Sequence, residues 1–313
     1  MKNLILPLLL CLCLIAKAQK PIDTTEVVLV GGIKQYITLK GKNNTKPLLL
    51  FLHGGPGNSV IGYADKFTRK LQEHFIVIQW DQREAGKTLA MNSSPVPLTL
   101  SLFENDTHEL IEILLRKFNR EKLYLAGHSW GTALGFFIAG NYPELLYAYL
   151  PISPMINQVE SERIVLEMMK EKALKAGDAA QVKELASVKI PFESGNDLYY
   201  HRKWLLDFIG SRNTFTKEYI LSWASTWLPV FNEASRINLM ESLPSINCPV
   251  YFFTGNEDYQ TNYTITEKYY NALNAPKKNF YLFENTAHSL PSAKGDQLQK
   301  IIIEKVLPAT HQP

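Results

Sequence analysis

Short, continuous apolar runs that alternate with helical patterns constrain the fold of this chain more than any other feature. Turn residues bound six such runs: Pro47–Leu52, Phe75–Trp80, Lys122–Ala126, Leu146–Ile152, Pro249–Thr254 and Phe280–Phe283. A strand that is apolar along its whole length is buried on both sides, as in a parallel sheet covered by helices. The sequence therefore predicts an α/β fold with a mostly parallel sheet and helices on both faces.

Two further β-rich runs precede these six and meet at Gly31-Gly32, which is typical of a hairpin. The sheet is thus expected to have eight strands. The alternation breaks between residues 154 and 244, where the patterns are helical: Glu160–Ala176, Ala179–Val188, Leu198–Ile209 and Lys217–Trp227. We interpret residues 19–153 and 245–313 as the core and residues 154–244 as a helical cap over the carboxyl ends of the strands, where such folds place their sites.

The N-terminus has the pattern of a secretory signal peptide. Lys2 precedes an apolar run, Leu4–Ile15, and the run is followed by Ala16-Lys17-Ala18. The small residues at the end predict cleavage after Ala18, and the run is too short to span a bilayer. We therefore expect residues 1–18 to be removed, and the mature protein to be secreted or periplasmic with no stable membrane insertion.

Composition narrows the function classes. Apolar residues make up 46% of the 313 residues and charged residues 20%, which excludes a disordered or coiled-coil protein. The net charge is only +3 and no run of Lys and Arg forms a basic stripe, so a nucleic-acid partner is not expected. Phosphate-binding glycine loops and Cys/His metal spacings are lacking, which predicts no cofactor and no metal.

The segment Gly127-His128-Ser129-Trp130-Gly131 follows a predicted strand and opens a predicted helix. A nucleophile on such a strand-to-helix turn needs a strained backbone, and the flanking glycines leave room for it. Ser129 is therefore the candidate nucleophile. The simpler interpretation is a helix start with a capping serine.

The segment His53-Gly54-Gly55-Pro56-Gly57 ends another predicted strand. Glycines at such a position allow backbone N–H groups to face a ligand oxygen, as an oxyanion hole requires. The N–H groups of Gly55 and Trp130 are the expected donors. Taken alone, the segment would equally suit a tight turn.

A general base and its orienting acid should follow the nucleophile in the order Ser, Asp/Glu, His. Of the seven histidines, only His288 and His311 follow both a candidate acid and the last predicted strand. His311 belongs to a terminal tail of the kind that is usually disordered, so His288 is the candidate base. Asp258 is the preferred acid, because the shorter side chain is commoner in this role, and Glu257 is the alternative.

These residues together resemble the α/β-hydrolase superfamily and, within it, the proline iminopeptidase family of serine peptidases. Four patches carry the resemblance: the glycine segment at His53–Gly57, Trp80–Arg83, Gly127–Gly131, and the loops that contain Asp258 and His288. The resemblance implies the α/β-hydrolase fold and a serine hydrolase that releases an N-terminal proline or small apolar residue from a small peptide. The alternatives are a carboxylesterase or lactonase acting on a small ester, and a non-catalytic binding protein.

The cap departs from the family pattern at the place where the substrate amine is bound. Members carry an acid directly after a cap tryptophan, whereas Leu228 follows Trp227 here. Trp223 and Trp227 remain candidates for an apolar substrate slot. Among nearby acids, Glu193 is the preferred partner for the amine, because its segment could form a loop that enters the pocket.

Overall fold

A mixed eight-stranded sheet forms the centre of the computed structural model, which describes residues 20–211 and 215–310. The predicted signal peptide, residues 1–18, lies outside the described residues. The strands are β1 (Ile22–Val30), β2 (Ile33–Gly41), β3 (Leu48–Leu52), β4 (Ile76–Asp81), β5 (Leu123–His128), β6 (Leu146–Ile152), β7 (Val250–Gly255) and β8 (Lys278–Phe283). Their order is β1-β2-β4-β3-β5-β6-β7-β8, and only the pairs β1–β2 and β2–β4 are antiparallel.

Thirteen α-helices are found in the described part of the chain, besides two short 3-10 helices. They are α1 (Asp65–Thr68), α2 (Gly86–Met91), α3 (Leu100–Phe118), α4 (Trp130–Asn141), α5 (Gln158–Ala176), α6 (Ala179–Ala186), α7 (Gly195–Phe208), α8 (Lys217–Ser235), α9 (Leu239–Ser242), α10 (Tyr263–Ala272), α11 (Leu290–Ala293), α12 (Gly295–Ile301) and α13 (Leu307–Thr310). A π-helical turn, Ile302–Val306, joins the last two. No helix in residues 20–211 or 215–310 is long and apolar enough to cross a membrane.

The central strands of the sheet are buried on both faces, as their uninterrupted apolar runs predicted. The run Phe280–Phe283 is only partly buried, because β8 is an edge strand, and the other edge strand, β1, is largely exposed. Along β3, Leu48, Leu50 and Leu52 pack into one hydrophobic cluster, and Leu49 and Phe51 pack into a second. Successive side chains of a strand point to opposite faces, so two separate helix layers must cover this strand. The expected α/β architecture and the Gly31-Gly32 hairpin are confirmed.

Helices α5 to α9 all lie between β6 and β7 in the chain, within the region expected to be helical. The largest difference from expectation is α8, which continues eight residues past Trp227 and includes Pro229. Val230, Phe231 and Ala234 are buried in that extension. Their packing outweighs the loss of one backbone hydrogen bond at the proline.

Candidate active site

Ser129 occupies the turn between β5 and α4 with a strained backbone, φ 53° and ψ −120°. The flanking glycines are needed there because the chain is crowded. A Cβ added to Gly131 would lie 2.3 Å from the Leu52 carbonyl oxygen, and one added to Gly127 would lie 2.6 Å from the Gly131 oxygen. The Ser129 N–H donates to the Ile152 carbonyl at 3.0 Å, which fixes the turn at the carboxyl ends of the strands.

Three side chains from distant parts of the sequence form a chain of hydrogen bonds at the carboxyl ends of the strands. The Ser129 hydroxyl donates to Nε2 of His288 at 2.9 Å. Nδ1 of His288 donates to the Asp258 carboxylate, at 3.1 Å from Oδ2 and 3.2 Å from Oδ1. Asp258 is fully buried and Ser129 is 6% exposed. The arrangement orders a hydroxyl, an imidazole and a carboxylate as a proton relay to the serine requires.

Two neighbours that the sequence did not single out for this role hold the His288 loop in place. The His288 carbonyl accepts a hydrogen bond from His128 Nε2 at 3.0 Å and another from Ser153 Oγ at 3.2 Å. Burial lowers the pKa of His128 to about 4, so its ring is neutral near pH 7 and donates from Nε2. Ser153 follows β6 directly, and that position at the carboxyl end of a parallel strand is the signal that could have found it.

The carboxylate of Asp258 is held ionised by its surroundings. Thr261 donates to it twice, from the backbone N–H to Oδ1 and from Oγ1 to Oδ2, both at 3.0 Å. Burial raises the pKa of this carboxyl, but the charge of His288 and the hydrogen bonds around the carboxylate outweigh it, so the pKa lies below its ordinary value. The group therefore stays charged opposite the imidazole.

The glycine segment is oriented by the residues that follow β4. Gln82 donates its backbone N–H to His53 Nε2 at 3.2 Å, so the ring proton resides on Nδ1 and is donated to the Gly54 carbonyl at 2.8 Å. Burial lowers the pKa of His53, which keeps the ring neutral. In a trans peptide the C=O and N–H point in opposite directions, so fixing the Gly54 oxygen also fixes the Gly55 N–H. Gln82 Oε1 also accepts from the Trp130 indole at 3.0 Å.

The two charged residues of the segment Trp80–Arg83 fix the surroundings of the glycine segment rather than the pocket. Arg83 is fully buried, pairs with Asp106 at 3.0 Å and donates to the Gly31 carbonyl at 2.9 Å, which ties the β1–β2 turn to α3. Asp81 accepts the Lys87 N–H at 2.8 Å and so anchors the start of α2. These side chains are structural.

The two cap tryptophans lie against the glycine segment. Trp223 donates its indole N–H to the Pro56 carbonyl at 3.0 Å. The Trp227 ring covers Gly57 so closely that an added Cβ there would lie 2.6 Å from ring atoms. The structure thus differs from the expected substrate slot: both rings join α8 to the loop that carries Gly55, because α8 packs directly over that loop.

A cavity of about 550 Å³ opens above Ser129 and His288. Its apolar wall comes mainly from α7 and the segment after it, with Leu205, Leu206, Ile209 and Phe215. Gly54 and Gly55 also line the cavity, and Arg202 and Glu257 are the charged side chains of its described lining apart from the histidines. The cavity is large enough for a small peptide or ester.

Glu193 does not reach this cavity, contrary to the expectation for its loop. Its carboxylate pairs with Lys189 at 2.5 Å, and its side chain is 65% exposed. The reason is local: the next residue, Ser194, caps α7 in a capping box with Asp197, which turns the chain outward.

Comparisons with known proteins agree with this architecture. Solved α/β hydrolases superpose on nearly the whole chain. They include VinJ (19% identity, TM-score 0.64, 93% of this chain and 100% of that one) and an esterase of Thermogutta terrifontis (17%, 0.60, 92% and 100%). The proline iminopeptidase-related protein of Thermus thermophilus is 20% identical with a TM-score of 0.62, over 92% of this chain and 98% of that one. The fold is therefore that of an α/β hydrolase.

Sequence relatives narrow the class to a family. The model of the S33 serine aminopeptidases matches residues 43–293. The probable aminopeptidase YbaC of Bacillus subtilis is 30% identical over 87% of this chain and 92% of its own length. The proline iminopeptidase of Heyndrickxia coagulans is 26% identical over 77% and 83%. The chain belongs to the S33 serine aminopeptidase family and is a hydrolase, which confirms the resemblance noted in the sequence.

Proposed function

We propose that this protein is a serine aminopeptidase that releases an N-terminal proline or small apolar residue, with Ser129, His288 and Asp258 as its catalytic triad. The observation that carries the proposal is the 2.9 Å hydrogen bond from the Ser129 hydroxyl to His288 Nε2. A serine hydroxyl is a weak nucleophile unless a base in hydrogen-bond contact accepts its proton. The buried carboxylate of Asp258 then stabilises the imidazolium that forms.

The acylation step follows from these positions. Ser129 Oγ attacks the carbonyl carbon of the scissile bond while its proton moves to His288 Nε2. The carbonyl oxygen becomes an oxyanion, which the N–H groups of Gly55 and Trp130 receive. Trp130 is the first residue of α4, and the first N–H groups of a helix lack acceptors within it. His288 then donates the proton to the leaving amine, and the acyl-serine remains.

Deacylation repeats the step with water. His288 accepts a proton from water, the hydroxide attacks the acyl-serine, and the proton returns to Ser129 Oγ as the acid is released. Each proton taken by His288 is given back, so the cycle closes without a cofactor. The apolar wall of the cavity, Leu205, Leu206 and Ile209, suits the side chain of proline or a small apolar residue.

Hydrolysis of a small ester is the second candidate. It is favoured by the position of Glu193, which leaves the cap without the carboxylate expected to hold a substrate amine. An ester needs no such partner, and the same triad would cleave it.

A screen on the purified mature protein separates the candidates. Prolyl and alanyl arylamides, their N-acetylated forms and simple aryl esters would be compared by kcat/KM. Preference for the unblocked arylamides supports the aminopeptidase, and equal rates on blocked and free forms favour the esterase. A protein that hydrolyses none of them and does not react with a fluorophosphonate would contradict both.

We further propose that the chain is exported, with cleavage after Ala18. N-terminal mass spectrometry of the protein from its native host should find Gln19 first. A mature protein that retains Met1 would contradict export.

A further inference from the structure

The charges around the cavity determine which end of a peptide it can accept. A substrate with a free N-terminus brings an ammonium group close to Ser129, and a buried charge is costly unless it is paired. Arg202 and Glu257 are the two charged side chains, apart from histidines, among the described lining residues. Only an anion can pair with an ammonium group, so Glu257 is the candidate partner, and the positive charge of Arg202 must be neutralised by another group.

The cation is already neutralised. Arg202 donates from Nη1 to Glu162 Oε2 at 2.7 Å and from Nη2 to the other carboxylate oxygen. The Glu162 side chain is 3% exposed. Burial raises the pKa of this carboxyl, but the charge of Arg202 is the strongest of the opposing effects, and the pKa ends below its ordinary value. The pair contributes no net charge to the cavity wall.

Glu257 is an exposed residue whose backbone is held in place and whose carboxylate is unpaired within the described part of the chain. The Glu257 N–H donates to the Thr286 carbonyl at 3.0 Å, and its own carbonyl accepts the Tyr259 N–H at 3.1 Å. Its carboxylate makes no hydrogen bond or ion pair with any residue in 20–211 or 215–310. Because Glu257 directly precedes Asp258, the same turn after β7 sets the backbone of both residues, and Glu257 lines the cavity that contains Ser129.

Three acids of the cap that could have bound the ammonium group accept hydrogen bonds or pair with a lysine elsewhere. Asp197 accepts from Ser194 and from the Lys189 N–H within the α7 cap. Glu233 accepts the Leu100 N–H at 2.7 Å. Glu193 pairs with Lys189 at the surface.

We infer that Glu257 binds the α-ammonium group of the substrate and so determines the preference for an unblocked N-terminus. This inference rests on the proposed aminopeptidase function and names the recognition residue for it. Glu257 acts on binding rather than on the proton relay, because the relay carboxylate is Asp258. The cap acid typical of the family is thereby replaced by an acid of the core.

The test compares Glu257→Gln with wild type on prolyl arylamide and its N-acetylated form. Loss of a charge-assisted hydrogen bond should lower the ratio of kcat/KM between free and blocked substrate by about ten- to hundredfold. Glu257→Asp should restore part of it. Glu193→Gln is the matched control, since it removes an equivalent charge at the surface and should leave the ratio unchanged. An unchanged ratio in Glu257→Gln, or an equal fall in Glu193→Gln, would overturn the inference.

Inhibition of ester hydrolysis separates this inference from the proposed function. L-prolinamide should inhibit competitively, its Ki should rise about tenfold to hundredfold in Glu257→Gln, and N-acetylprolinamide should show no such dependence. A wild type that cleaves no arylamide but shows this pattern would refute the aminopeptidase and retain the ammonium site. Active cleavage of arylamides with no dependence on Glu257 in either assay would refute only the ammonium site. Thermal denaturation of each variant checks that folding is intact.

Discussion

Gln82 and His53 hold each other through two hydrogen bonds. The Gln82 N–H donates to His53 Nε2 at 3.2 Å, and the Gln82 side-chain amide donates to the His53 carbonyl at 3.1 Å. His53 in turn donates to the Gly54 carbonyl, which sets the direction of the Gly55 N–H. The segment after β4 therefore orients a proposed oxyanion donor that it does not itself supply.

Replacing Gln82 with Met tests this role while keeping the side-chain length. The variant loses the side-chain bond to the His53 carbonyl and the bond from the Trp130 indole. Removing one oxyanion donor outright costs about 10²–10³ in kcat, so a misplaced donor should cost about tenfold or more, with little change in KM. Steady-state kinetics measures kcat and KM separately. A rise in KM at unchanged kcat would contradict a positioning role.

Ser129→Ala should abolish turnover without disturbing the fold. Triad members act as a unit, and removal of one costs roughly 10⁴–10⁶ in rate. Labelling with a fluorophosphonate should be lost as well, because only an activated serine reacts. A correctly folded variant with near-normal activity would contradict the assignment of the nucleophile.

Asp258→Asn should lower kcat by about 10⁴, because an amide favours the wrong imidazole tautomer. Asp258 accepts the Nδ1 proton of His288, which leaves Nε2 free to take the proton of Ser129. Glu257→Gln should not have this effect on kcat for N-acetylated arylamide. If Glu257→Gln lowered kcat in this way and Asp258→Asn did not, the acid of the triad would be Glu257 and not Asp258.

The sheet and the meeting of three distant residues could be anticipated from the sequence because both depend on simple constraints. Uninterrupted apolar runs such as Leu48–Leu52 require burial on both faces. Parallel strands bring their carboxyl ends to one edge, so Ser129, Asp258 and His288 had to lie near each other once the strands were located. Few other residues of those types follow a strand in the required order.

Side-chain directions within the cap could not be anticipated, because they depend on tertiary packing. Glu193 was expected to enter the pocket from a loop, but the capping box at Ser194 turns the chain outward. Trp223 and Trp227 were expected to line a slot, but α8 packs onto the glycine segment, so that Trp227 is buried against it and the half-buried Trp223 donates a hydrogen bond to it. Glu257 stands next to a candidate acid in the sequence, yet its position in the cavity wall follows only from the fold of the β7 turn.

Trp223→Phe tests whether the cap holds the glycine segment. The change keeps an aromatic ring but removes the hydrogen bond to the Pro56 carbonyl, which is worth about 1 kcal/mol. We expect kcat/KM to fall a few-fold and the melting temperature to fall slightly. Trp204→Phe is the matched control: it removes an indole bond to Glu184 elsewhere in the cap, at 2.7 Å. Equal losses of activity in both variants would contradict a specific role for Trp223.

The last prediction concerns acid stability and follows from His201, which is fully buried beside Glu162 in the cap. Burial is the main cause that lowers the pKa of His201, to about 4. As the pH falls below about 6.5, the unfolded chain takes up a proton at this residue, whereas the folded chain does not until about pH 4. The unfolded state therefore binds more protons in this window, and the free energy of unfolding must fall with falling pH.

The size of this effect follows from the separation of the two pKa values, which corresponds to roughly 3 kcal/mol between pH 6.5 and pH 4. Urea denaturation at several pH values measures it in wild type and in His201→Gln, which keeps a side-chain donor for the Glu162 carbonyl that His201 contacts at 3.2 Å. The variant should lose less stability across this range, because glutamine does not titrate. The variant still contains His128, whose pKa is also lowered to about 4. Its free energy of unfolding should therefore still fall with falling pH, but less steeply than that of wild type. Parallel pH dependence in the two proteins would contradict a buried, neutral His201.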